Sequence, residues 1–180
     1  MPRSFAARVI ATAKGLGLAT TFVALGGLYS LSNAVVPSIL ATLNSGDGTT
    51  SARNASKSFA VALRASKQNI PPAELLSICC FSFLSVNAYR LIGYPSHRGP
   101  LYAGAAAAMF AVIPLTMATM TPIETRLLQL ADTGVDTASK SDESSPQEVE
   151  AMMLLWSSRN MWRRVFVSIS GVLGLLAVLK

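Results

Sequence analysis

Apolar and charged positions fall in long blocks along this chain rather than in short periods. Residues 16–43 hold no Asp, Glu, Lys or Arg, and these 28 positions make about 42 Å of helix at about 1.5 Å each. A hydrocarbon core about 30 Å thick needs roughly 20 residues, so this block predicts a first membrane span with length to spare. Residues 72–93 form a second span whose two charges, Glu74 and Arg90, lie near its ends, where long side chains reach lipid headgroups. Residues 101–123 are uncharged and predict a third span, with Pro114 as its kink. The fourth block, 152–179, carries Arg159, Arg163 and Arg164 in its first half and no charge after them. Its helix start is marked by Ser145 as N-cap, Pro146 in the first turn and Glu148 completing a capping box. A helix from there to the end of the block runs about 50 Å, longer than the bilayer core, so its first turns are expected to stand outside or to bend, with the arginines at the boundary.

The connections complete the pattern. Residues 44–70 read as a polar loop: 44–58 are rich in Gly, Ser, Thr and Asn, and 59–65 suit a short interfacial helix before Pro71 and Pro72. Residues 94–100 make a tight turn, and 132–145, acidic and without apolar period, make a mobile loop. No repeat of about 20 to 50 residues is visible. The fold class expected is all-α: a single integral membrane four-helix bundle over residues 1–180, with a long polar loop before the last helix.

Composition strengthens this picture. The chain is 51% hydrophobic and 13% charged, against about 25% charged in soluble domains. Its net charge of +6 is spread in short segments between apolar blocks, not gathered on a stripe, so nucleic acid is not an expected partner. The first apolar block is about twice the 7 to 15 residues of a signal-peptide core, so a retained helix is expected. Arg3, Arg8 and Lys14 precede it without any acid, but so short a segment favours the endoplasmic reticulum or another endomembrane over a mitochondrial address. Orientation stays open. With the N-terminus inside, six positive residues would be cytosolic against nine on the other side, whereas the sequon Asn54-Ala55-Ser56 would be used only if the first loop is lumenal.

Familiar catalytic parts are missing. Cys79 and Cys80 are adjacent and have no ligand-spaced His or acid; the chain has one His, no Gly-rich phosphate loop and no nucleophile elbow. Polar residues inside spans are therefore the suspects. Gly26, Ser30, Asn33 and Pro37 form a small, polar stripe, which fits either a binding face or plain close helix packing. Thr116, Met120 and Glu124 share a face suited to an irregular planar ligand, or to core filling. Trp156, Asn160 and Arg163 fall at i, i+4 and i+7, putting an aromatic plane, an amide and a fixed cation on one face. That set suits an aromatic anion; the other reading is interfacial anchoring, with Trp156 and Trp162 at headgroup level and the arginines on lipid phosphate. His97, in the turn, is a candidate acid or base or a merely solvated side chain.

The run Pro114-Leu115-Thr116, then Met120-Thr121-Pro122-Ile123-Glu124-Thr125-Arg126-Leu127, and later Trp156-Ser157-Ser158-Arg159-Asn160-Met161-Trp162-Arg163, resembles the anthrone oxygenase family of small membrane proteins. The family pattern is roughly Pro-x-Thr, then Pro-x-Asn-x-x-Leu, and in the last span Trp-x-x-x-Asn-x-x-Arg. Glu124 stands where the family usually has Asn. The resemblance implies a cofactor-independent monooxygenase of secondary metabolism, which converts a flat polyketide anthrone to an anthraquinone with O2 and requires no metal or flavin. On that reading Arg163, with Arg164, stabilises the substrate anion, Asn160 orients an oxygen, Trp156 stacks on the rings, and Glu124 or His97 is the base. Thr116, Met120 and Asn33 would help to line the substrate site. An ion pair at about 4 Å and effective dielectric 20 contributes about 4 kcal/mol, enough to move a weak acid by about three pKa units. The partners expected are this substrate, O2 and the lipid bilayer; a homo-oligomer is compatible with the sequence. The competing class is a non-catalytic membrane scaffold whose arginines hold lipid or a partner's acidic segment. A transporter fits less well, since no inverted repeat is visible.

Overall fold

A computed structural model describes residues 3–45, 48–91, 98–132 and 146–179, and these are helical throughout apart from a turn at Met120. The protein is all-α. Its elements are α1 (Arg3–Ser30), a π-helical turn (Leu31–Val35), α2 (Val36–Ser45), α3 (Gly48–Leu91), α4 (Arg98–Thr119), α5 (Thr121–Asp132) and α6 (Pro146–Leu179). Four stretches, Phe5–Asn44, Ala52–Arg90, Arg98–Thr119 and Pro146–Leu179, are long and apolar enough to cross a membrane.

Proline chemistry explains the breaks. Pro37 has no N–H to offer the Asn33 carbonyl, and its ring crowds that carbonyl. The chain answers with the π-helical turn just before it, in which the Val36 N–H reaches the Leu31 carbonyl. Pro122 sits in the first turn of α5, where its missing N–H costs least. The ladder crosses the break through Met120 N–H to Thr116 O (2.9 Å) and Glu124 N–H to Met120 O (3.0 Å).

The expected loop over 44–70 is corrected by α3, which is helical from Gly48 onward and takes in Pro71 and Pro72. The reason is a buried stripe, Ala52, Ala55, Ser56, Phe59, Ala60, Leu63 and Ile70, at helical spacing. Ala and Ser look like loop composition until packing makes them an inner face. The sequon therefore lies within a helix with Ser56 buried, so it is no longer a loop acceptor. Glu74, expected to reach headgroups, is buried instead. The N-cap Ser145, His97 and nearly all of the loop over 132–145 lie outside the described residues.

The chain divides into two compact units, each taking segments from all four long stretches. The first comprises Met1–Gly26, Asn69–Pro114 and Arg164–Lys180. Phe81, Leu84, Tyr102, Ala105, Ala106 and Ala177 form its core. Small residues allow the close approach: a Cβ on Gly174 would stand 2.7 Å from the Phe81 ring. Serine and threonine hydroxyls find partners inside it, with Thr20 and Ser77 oxygens 2.7 Å apart and Ser170 donating to the Ala105 carbonyl at 2.8 Å. Most of the exposed large apolar side chains belong to this unit, among them Phe22, Val23, Phe110 and Val172; such a surface suits lipid. The second unit comprises Gly27–Gln68 and Leu115–Arg163. It holds a buried carboxylate, a buried amide and a buried guanidinium.

Candidate functional site

Within the second unit, α6 presents Trp156, Asn160 and Arg163 on one buried face, at 1%, 0% and 8% exposure. The spacing makes this a single stripe, since residues three and four apart are neighbours on a helix. Trp156 thus faces the interior of the unit, whereas Trp162 is exposed. An outward-facing ring is what interfacial anchoring needs, and of the two tryptophans only Trp162 offers one.

Glu124, on α5, is buried at 4% exposure. Trp156 Nε1–H donates to its Oε1 at 3.1 Å. On the other side Lys67 Nζ, from α3, lies 2.7 Å from Oε2. A buried carboxylate without a cation would be costly, and Lys67 supplies that charge while keeping half its side chain exposed. Each oxygen retains a lone-pair site beyond the bond it already accepts. Phe59 packs edge-on against Trp156, with ring centroids 5.2 Å apart, which fixes the indole plane.

Asn160 is held from the first long helix. Its Nδ2 donates to Ser32 Oγ at 2.7 Å and to the Leu28 carbonyl at 3.2 Å. Ser32 belongs to the π-helical turn, a local geometry often found at functional sites. Arg163 Nη1 lies 3.9 Å from the sulfur of Met120, itself completely buried. Arg159 donates to the Thr119 carbonyl at the α4–α5 break.

The structure therefore brings Met120, Glu124, Trp156, Asn160 and Arg163 into one unit, with Thr116 one turn before Met120 and half-buried. Asn33 is not gathered in. It lies on an exposed face together with Gly26, Ser30 and Pro37, and its neighbour Ser32 is the residue turned inward. Large apolar residues, Leu28, Leu31, Val36 and Ile39, take the buried face of that helix, so the small, polar stripe is left outside. Arg164 belongs to the first unit and is half-buried there. His97 lies outside the described residues.

Lys67, Ser32, Phe59 and Arg159 were not legible as site residues. Lys67 had one usable signal: a carboxylate destined for burial needs a cation, and the acid-free run 48–73 offers four basic residues. Only the helical register of α3 decides which of them reaches it.

Residues 59–173 match the family model described as anthrone oxygenase. No curated protein matches the chain, and no solved structure does.

Proposed function

Since the chain belongs to the anthrone oxygenase family, we propose that it converts a polyketide anthrone to an anthraquinone with O2, and that the buried face of α6 is where the substrate is activated. The observation that carries this reading is the convergence of Glu124, Asn160 and Arg163, three polar side chains buried in one unit. Buried polar groups of this kind are expensive to keep and cluster at functional sites.

In the proposed reaction the Glu124 carboxylate removes a proton from the central CH₂ of the anthrone. The charge delocalises onto the carbonyl oxygen, where the Arg163 guanidinium stabilises it. This anion passes one electron to O2, and the resulting radical and superoxide join at the ring carbon. The new peroxide anion takes back the proton held by Glu124. Loss of the second CH₂ hydrogen as a proton, with departure of hydroxide, leaves the new C=O and one water. One anthrone and one O2 thus give one anthraquinone and one H₂O, and the carboxylate returns to its starting state. Because the proton cycles locally, a water-poor site suits the reaction.

The geometry revises two roles. Trp156 has its indole edge on Glu124 and its ring against Phe59, so it positions the base instead of stacking on substrate. Met120 fills the space beside Arg163, and its unbranched, flexible side chain can swing away to admit a flat ring system. The test is turnover: purified protein in detergent, given an anthrone and air without added cofactor, yields quinone faster than the spontaneous reaction. A rate equal to the protein-free control contradicts the proposal.

A further inference from the structure

The Asn160 amide has two ends, and only one is used. Both Nδ2 hydrogens have partners, Ser32 Oγ at 2.7 Å and the Leu28 carbonyl at 3.2 Å. A backbone carbonyl can only accept, so the amide nitrogen has to face it. The amide orientation is therefore set by chemistry. Oδ1 points the other way, is completely buried and has no hydrogen-bond partner among the described residues. Native structures rarely leave such an acceptor unmade, and an exception calls for a ligand or a water to complete it.

We infer that Asn160 Oδ1 is a specificity site for a neutral hydroxyl: the ligand presents a free phenolic O–H to this acceptor, at a ring position remote from its carbonyl. The chemistry is selective in three ways. A carbonyl oxygen or a phenolate has no proton to donate, so neither the quinone oxygen nor the ionised oxygen of the substrate can occupy this position. A hydroxyl flanking the ring carbonyl is already bonded to it internally and has no hydrogen to spare. A methyl ether puts carbon where the acceptor needs hydrogen. Arg163 lies one turn further along the same buried face, and its cation suits the opposite kind of oxygen. The pair thus sorts two oxygens of one polyhydroxylated ring system, the anionic one to Arg163 and the neutral donor to Asn160. Ser32 is the support for this arrangement, since its hydroxyl holds the amide from the far side.

The choice of ring skeleton rests on the proposed anthrone chemistry, but the acceptor argument does not. Binding separates the two. Wild-type protein in detergent is titrated with 2-hydroxyanthraquinone, 2-methoxyanthraquinone, 1-hydroxyanthraquinone and unsubstituted anthraquinone, at a pH that keeps the phenols neutral. None of these can be oxidised further at the central carbon. The 2-hydroxy compound is expected to bind at least about tenfold tighter than the other three. Equal affinities, or no binding of any of the four, overturn the inference. In Asn160→Leu the preference is expected to vanish, leaving all four ligands alike. Should that variant fail to fold, the wild-type series alone decides. Selective binding without anthrone turnover would leave this inference standing and remove the oxygenase proposal; turnover without selectivity would do the reverse.

Discussion

Trp156 donates its indole N–H to Glu124 at 3.1 Å across 32 residues of sequence, which in the proposed function makes it the clamp on the base. Trp156→Phe preserves most of the packing and the edge contact with Phe59 but leaves Glu124 Oε1 without this donor. The loss expected is about 1–3 kcal/mol of stability, measured by denaturation in detergent. Anthrone turnover should fall at the same time, with the fall in kcat exceeding any rise in KM.

Lys67 closes the other side of Glu124 at 2.7 Å. Lys67→Met leaves a buried carboxylate without its cation and should cost about 1–3 kcal/mol, towards the lower end because half of Lys67 is in solvent. Lys67→Arg restores the charge and should recover most of the stability. A thermal melt of both variants checks this, and equal melting temperatures for Lys67→Met and wild type would show that the pair contributes nothing.

The neighbours Ser32 and Asn33 should behave in opposite ways. Ser32→Ala removes an acceptor of the buried Asn160 amide and is expected to destabilise by about 1 kcal/mol and to weaken ligand selectivity. Asn33→Ala, on the exposed face, should stay within about 0.5 kcal/mol of wild type. Parallel melts and anthrone assays distinguish the two.

Gly174 tests packing apart from chemistry. A Cβ there would come within 2.7 Å of the Phe81 ring, so Gly174→Ala forces that ring to move and should cost about 1–3 kcal/mol. Turnover per folded molecule should be unchanged, because neither Gly174 nor Phe81 is among the residues proposed to act on substrate.

The helices were legible where charge is absent for a whole span, as in 99–119, although the break falls at Met120 and not at the expected Pro114, and where one helix carries its own pattern, as with Trp156, Asn160 and Arg163. They were not legible where packing overrides composition. The Ala and Ser stripe of α3 is invisible until a partner covers it, so composition predicts a loop there and gives no sign of Lys67. The first long helix shows a different limit. Its Gly26, Ser30, Asn33 and Pro37 stripe is periodic, but periodicity does not say which face turns inward. That choice came from the apolar bulk of Leu28, Leu31 and Val36 and from the need of Asn160 for a hydroxyl partner. Side-chain pairs between helices, such as Glu124 with Trp156, are fixed only by tertiary packing.

The central claim is that the protein ionises its substrate, and it can be tested before any oxygen reacts. An anthrone is mixed anaerobically with purified wild-type protein, Arg163→Gln and Glu124→Gln, at a pH where the free anthrone is neutral, and the long-wavelength absorbance of its anion is recorded. The anion band should appear with wild type and be lost in both variants. Bound anthrone that stays neutral with wild type, or an anion band undiminished in both variants, would contradict the account.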